Sequence, residues 1–297
     1  MMKLKIYHYD AFSNIPGKGN PAGVVIEADA LTTEKMQEIA EKIGFNETAF
    51  AMKSEVADIQ LRYFTPGHEM NLCGHGTMAA IHALVDHDFL NEKGEIRVET
   101  KVGILNVKLA RSENGKVWMT MQQAMPVFEA FLGSRTDLAR SIGLVEADLA
   151  DEWPIMYGST GTWTLLVPIK KLASFAKMNP NNARFPAILQ EMPHASVHPF
   201  CLETFDYSAT MHARHFSSPY SGTVEDPVTG TASGVMGAYY AEYMTKNIDK
   251  SFEIIVEQGM EVGRDGKVVV HVERLDASYA IEITGTAVLV GEIGELY

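Results

Sequence analysis

The chain has 297 residues, 46% hydrophobic and 21% charged, values near globular averages, and it is long enough to bury a full core as one large domain or two. With 25 Lys plus Arg against 38 Asp plus Glu, its formal charge is −13, which disfavours a sequence-independent grip on nucleic acid or an anionic membrane and points to a small-molecule partner. No run of about 18 apolar residues occurs, and polar residues interrupt the first ten positions too early for a signal sequence, so a cytoplasmic protein is expected.

In chain order, Met36, Ile39, Ala40 and Ile43 recur at helical spacing, predicting a helix over Thr33 to Ile43 with Gly44 as its stop. Strands are predicted over Phe45 to Met52, Ile59 to Phe64, Ile96 to Ala110 and Val117 to Gln122, the last reached through a hairpin at Glu113-Asn114-Gly115. A helix at Thr77 to Phe89 interrupts this β-rich half. The second half reads similarly, with strands at Thr162 to Ile169, Val197 to Glu203, Phe252 to Glu257 and Lys267 to Glu273, the last pair joined through Arg264-Asp265-Gly266. Its long helix is Thr231 to Met244. The final segment, Ile281 to Glu295, is strand-like and is expected to return to the first half.

One phrase occurs twice in altered form. Asn71-Leu72-Cys73-Gly74-His75-Gly76-Thr77 leads into the small-residue helix of the first half, and Val228-Thr229-Gly230-Thr231-Ala232-Ser233-Gly234 leads into that of the second. Both helices are rich in Ala and Gly and apolar over most of their surface, as suits helices enclosed by a curved sheet. The pattern predicts an α+β fold of two similar halves, each a mixed sheet wrapped on a central helix, with both helix starts facing one cleft. Domains are expected at residues 1–123 plus 282–297 and at residues 124–281. At each helix start, glycines leave backbone N–H groups and the positive end of the dipole available to an anion such as a carboxylate.

Glu47, in Gly44-Phe45-Asn46-Glu47-Thr48-Ala49-Phe50, shares strand parity with Phe45 and Ala49. A carboxylate aimed with those residues away from water is suited to proton transfer; a glutamate on an edge strand pointing to solvent is the plainer account. Cys73 and Cys201 are the only cysteines, too few for a disulfide framework. A thiol at a helix start is expected to have a depressed pKa, which makes Cys73 a candidate base, or else a small packing residue. The pairs His82 and His87, and His212 and His215, have no neighbouring Cys or carboxylate in sequence to complete a zinc pattern, so no metal is expected.

Taken together, Gly19-Asn20-Pro21-Ala22-Gly23, Asn46-Glu47-Thr48-Ala49-Phe50, Cys73-Gly74-His75 and Glu225-Asp226-Pro227-Val228-Thr229-Gly230 resemble, in this order and across essentially the whole chain, the phenazine-biosynthesis isomerase family, or PhzF-like proteins. The resemblance implies a diaminopimelate-epimerase-like fold, a homodimer, and acid-base isomerisation of a small cyclic or amino-acid-like carboxylate without a cofactor, as in trans-2,3-dihydro-3-hydroxyanthranilate isomerase. It carries the proton-transferring glutamate onto Glu47 and the polarising and substrate-binding groups onto His75 and Asp226. Asn46, Gly74, Gly76, Gly230, Thr231 and Ala232 would line the substrate, with helix-end N–H groups from Gly74, Gly230 and Thr231. Asn46 and Thr231 stand where serine is common in the family and Gly76 where alanine is frequent, departures that bear on the substrate more than on the reaction. The phrase around Cys73 also looks like the first catalytic motif of proline racemases. There the second cysteine would fall at Thr229, which leaves a one-base hydroxyproline dehydratase type using Cys73 as the rival, beside a non-catalytic small-acid-binding protein.

Overall fold

The computed structural model describes residues 4–90, 94–245 and 250–295, and the chain divides into two compact units, residues 1–122 plus 284–297 and residues 123–283.

The first unit begins with strands β1 (Lys5–Ala11) and β2 (Asn20–Val25), then helix α1 (Thr33–Ile43), strands β3 (Glu47–Met52), β4 (Ile59–Phe64) and β5 (Glu69–Met70), helix α2 (Gly74–Asp86), and strands β6 (Glu95–Thr100), β7 (Gly103–Arg111) and β8 (Val117–Gln122). Pairing alternates: β1 with β2 antiparallel, β2 with β3 parallel, β3 with β4 antiparallel, β4 with β6 parallel, β6 with β7 antiparallel. Helix α2 makes the connection across the parallel β4–β6 pair and packs on β1 to β4, with residues 76–84 all buried. Helix α1 lies on side chains of the other parity: Met36, Ile39 and Ala40 pack with Ile6, Val25, Phe50 and Phe64. Thr32 caps its start by accepting from the Lys35 N–H, and Gly44, at φ 72°, ends it in the left-handed conformation. A sheet covered on both faces explains why β2 and β3 are apolar almost throughout rather than alternating.

The second unit runs β9 (Val127–Ala130), α3 (Arg135–Ser141), β10 (Met156–Ser159), β11 (Trp163–Pro168), α4 (Phe185–Ile188), β12 (Ser196–Cys201), β13 (Met211–Ala213), α5 (Gly230–Tyr239), β14 (Ser251–Gln258), β15 (Gly266–Arg274) and β16 (Tyr279–Gly285). From β10 the alternation repeats: β10–β11 antiparallel, β11–β12 parallel, β12–β13 antiparallel, β13–β14 parallel, β14–β15 antiparallel. Helix α5 occupies the place of α2, in the connection across the parallel β13–β14 pair, and packs on β10, β14 and β15. It approaches β15 closely at Gly237, where a Cβ would lie 2.6 Å from Val270 Cγ1 and 2.9 Å from Val272 Cγ2. The fold is therefore α+β and diaminopimelate-epimerase-like: the same strand grammar twice, each copy built on one apolar helix.

After β16 the chain turns at Thr286, and strand β17 (Ala287–Glu295) pairs antiparallel with β1, from Ala287 opposite Ala11 to Glu295 opposite Lys5. The expected return of the last segment is thus made by β17 alone, and Ile281 to Glu295 is two strands. Ile96 to Ala110 is likewise two, folded back through Lys101-Val102 with Gly103 at φ 119°. Continuous alternation across that turn, with no Asn-Gly pair to mark it, concealed the break. Helix α2 begins three residues before the expected Thr77 and ends at Asp86, and α5 passes into a π-helical turn over Tyr240–Met244. Strand β3 begins at Glu47, not Phe45, and β14 and β15 are joined by a longer loop containing a 3-10 turn at Met260–Val262.

Candidate active site

Cys73 has extended geometry (φ −141°) and is the N-cap of α2, its Sγ accepting from the Gly76 N–H at 3.2 Å. Thr77 Oγ1 donates to the Cys73 carbonyl at 2.7 Å, which uses its one hydrogen; Tyr63, from β4, therefore donates to Thr77 Oγ1 at 2.6 Å. These bonds fix the first turn against the sheet and set His75, its second residue, beside Glu47 at the start of β3. His75 Nε2 lies 3.0 Å from Glu47 Oε2, with the two side chains only 10% and 15% exposed. The pair is close in distance without the alignment of a hydrogen bond, and Glu47 Oε2 has no hydrogen-bond partner. His75 Nδ1 is 3.5 Å from Cys73 Sγ on its other side.

Burial disfavours a charged His75, but the Cys73 sulfur and the Glu47 carboxylate outweigh it and hold the imidazole well above the ordinary histidine value. Burial also pushes the Cys73 thiol up, more than His75 and the Gly76 N–H lower it. This corrects the depressed thiol expected at a helix start: a fully buried sulfur loses more by dehydration than it gains from the dipole. Cys73 is the larger of the two influences that raise His75, and Glu47 adds to it. The donor atoms of Glu47, Cys73 and His75 lie within 4.8 Å of one another, close enough to ligate a cation. A cation bound there would have to displace the protons of the thiol and the imidazole.

In the second unit, Thr229 precedes α5 and its hydroxyl donates to Asp226 Oδ2 at 2.5 Å. Gln258, buried at the end of β14, orders this turn twice: its Oε1 accepts from the Thr229 N–H at 3.2 Å and its Nε2 donates to the Asp226 carbonyl at 2.7 Å. The cap side chain being so engaged, the N–H groups of Gly230, Thr231 and Ala232 point out of the helix start with no intrahelical acceptor. Gly74 offers the same at α2, whereas the Gly76 N–H is occupied by Cys73. Asn46 is half-buried directly before Glu47. Of the residues expected from sequence, the fold thus brings Glu47 and His75 together in one unit, and Asp226 with Gly230, Thr231 and Ala232 in the other.

Gln258 was not legible beforehand, since a glutamine closing an apolar strand reads as its exposed end. Tyr157 is a core residue whose hydroxyl donates to Glu191, and Arg214 is buried and tied to Glu225 and to the Phe175 and Met178 carbonyls. Thr160 donates to the Thr231 carbonyl at 3.0 Å and so supports the start of α5. His212 and His215, three apart, do not meet: His212 is held between Glu257 and Glu261, carboxylates far along the chain that sequence spacing could not supply, and His215 contacts His198.

The family model for phenazine biosynthesis-like proteins matches residues 9–292. The chain belongs to this PhzF-like family. An uncharacterized isomerase of Bacillus subtilis, YfhB, is 49% identical over 288 residues, covering 97% of each chain. A crystal structure of a Bacillus anthracis phenazine biosynthesis protein of the PhzF family superposes with a TM-score of 0.97 at 55% identity, covering all of both chains. The trans-2,3-dihydro-3-hydroxyanthranilate isomerase of Pseudomonas chlororaphis is 28% identical over 291 residues, covering 96% of this chain and 98% of that one. This PhzF-like chain is accordingly an isomerase. Among its described residues no helix is long and apolar enough to cross a membrane.

Proposed function

We propose that this isomerase moves a proton between two carbons of a small cyclic, amino-acid-like carboxylate of the kind named for the Pseudomonas isomerase, a dihydro-hydroxyanthranilate, with Glu47 as the base that removes the proton and the acid that returns it. The observation that carries the reading is the half-buried Glu47 carboxylate 3.0 Å from the His75 imidazole, whose pKa is raised by Cys73 and Glu47 against burial. Glu47 takes the proton from an activated C–H, the electron pair shifts through the conjugated system, and the new Glu47 carboxyl returns the proton at a second carbon. No atom is gained or lost, and an enol so formed tautomerises to its ketone. His75, as the imidazolium, polarises the substrate as negative charge develops. Asp226 binds a polar substituent, and helix-start N–H groups such as those of Gly230 and Thr231 suit a carboxylate, as does that of Gly74 in the first unit.

The raised Cys73 thiol favours this reading over a thiol-based dehydratase, which needs a thiolate. The same reading has the protein working in the cytoplasm as a homodimer without a cofactor. It is tested by incubating wild type and Glu47→Gln in deuterated buffer with 2,3-dihydro-3-hydroxyanthranilate and, separately, with proline and hydroxyproline isomers. Glu47-dependent deuterium incorporation into the anthranilate supports both reaction and substrate. Turnover confined to the proline series would displace the assignment in favour of Cys73.

A further inference from the structure

The second unit contains a chain of three side chains that the isomerisation above does not use. His198, on β12 and fully buried, places its Nδ1 3.1 Å from the Nδ1 of His215 and its Nε2 2.9 Å from Met236 Sδ on α5. A thioether sulfur carries no hydrogen and can only accept, so the Met236 contact is favourable when His198 Nε2 bears the proton. Burial holds both imidazoles below the ordinary histidine value, with His215 and His212 adding to this at His198 and Asp226 opposing it at His215. A neutral imidazole has one N–H, so His198 Nδ1 is then an acceptor. The 3.1 Å contact therefore requires the proton of His215 to sit on Nδ1, which leaves His215 Nε2 as a bare lone pair. Among the described residues that atom has no hydrogen-bond partner, and His215 is only partly buried. The two residues are neighbours, the Asp226 N–H donating to the His215 carbonyl at 3.0 Å, and the Asp226 side chain is near enough to act on the His215 imidazole.

We propose that Met236, His198 and His215 lock the tautomer of His215 so that its Nε2 is an obligatory hydrogen-bond acceptor, and that it receives an amino hydrogen of a ligand held at Asp226, an inference that rests on the reading of Asp226 as substrate-binding. A carboxylate and a bare imidazole nitrogen both accept and neither donates. An amine, with more than one hydrogen to give, satisfies both at once; a ligand with no donor there leaves a lone pair unmet. His215 is on this account a specificity-determining residue, and Met236 and His198 are positioning residues that act through it.

The test is long-range 15N–1H NMR on the full chain, alone and with 3-hydroxyanthranilate or 3-hydroxybenzoate, two stable aromatic acids differing in the amino group. The free protein should show His198 protonated at Nε2 and His215 protonated at Nδ1, and His215 Nε2 should shift with the amino acid alone. His215→Phe should weaken 3-hydroxyanthranilate binding at least about tenfold, a size fitting a lost buried hydrogen bond, while 3-hydroxybenzoate is unaffected. Met236→Leu, a volume-conserving change, should release His198 into a mixture of tautomers in a folded protein. His198 protonated at Nδ1, His215 protonated at Nε2, or an equal response to the two acids would overturn the proposal. The stated tautomers support it even if deuterium exchange proves independent of Glu47, an outcome that counts against the isomerase reading alone.

Discussion

His75 Nε2 stands 3.0 Å from Glu47 Oε2, an imidazole from the first turn of α2 against a carboxylate from the first residue of β3. Burial lowers the imidazole's pKa, and Cys73 and, after it, Glu47 raise it further than burial lowers it. Glu47→Gln should therefore lower the His75 pKa as well as turnover, the latter by about 100-fold to 10,000-fold, the usual cost of a positioned base. Histidine NMR titration checks the first effect; an unchanged His75 in a folded variant would mean that Glu47 does not sustain its charge.

Cys73 should alkylate slowly at neutral pH and faster as pH rises, because burial raises its thiol. Iodoacetamide labelling followed by mass spectrometry measures this directly. Serine is a good N-cap, so Cys73→Ser keeps an acceptor for the Gly76 N–H and should change stability by less than about 1 kcal/mol. Rapid labelling at pH 7, or a folded but inactive Cys73→Ser, would restore the thiol mechanism.

His212 is clamped between Glu257 Oε1 at 3.1 Å and Glu261 Oε1 at 3.0 Å, with no exposure of its own side chain. Glu257 also accepts from the Phe205 and Asp206 N–H groups. Removing the imidazole leaves two buried carboxylates without their cation, Glu257 keeping only its two backbone N–H partners, so His212→Ala should cost about 3–5 kcal/mol in urea unfolding. Burial lowers the His212 pKa, but hydrogen bonds to both glutamates raise it further, above its unfolded value of about 6.5. That stabilisation is fully present below about pH 6.5 and is lost as pH rises through the folded pKa. The gap between wild type and His212→Ala should narrow on the alkaline side, and a gap that widens there would reverse the assignment of charge.

Gly237→Ala should lower the melting temperature. Alanine improves helix propensity by about 1 kcal/mol, but its Cβ would lie within 3 Å of Val270 and Val272 on β15, and overpacking costs about 1–3 kcal/mol. The two valines are β-branched and cannot swing aside easily, so the clash prevails. A rise in melting temperature would show that β15 yields.

Much of this protein is settled by local pattern. The amphipathic period of Thr33–Ile43, the Asn114-Gly115 turn and the two small-residue helices are read correctly because neighbours in sequence are neighbours in space within a helix or a hairpin. The repeat of Gly-rich helix starts likewise foreshadows the repeated strand order. The sequence also supplies Glu47, His75 and Asp226 as candidates. Tertiary structure alone decides what each faces. It gives His75 a carboxylate 28 positions away, buries Cys73 until its thiol rises, and sets Gln258 beneath Asp226. It clamps His212 with glutamates 45 and 49 residues further on. Charge state depends on the nearest partner and on water, and both are fixed by which strands pair, a matter of long-range burial that no local spacing encodes.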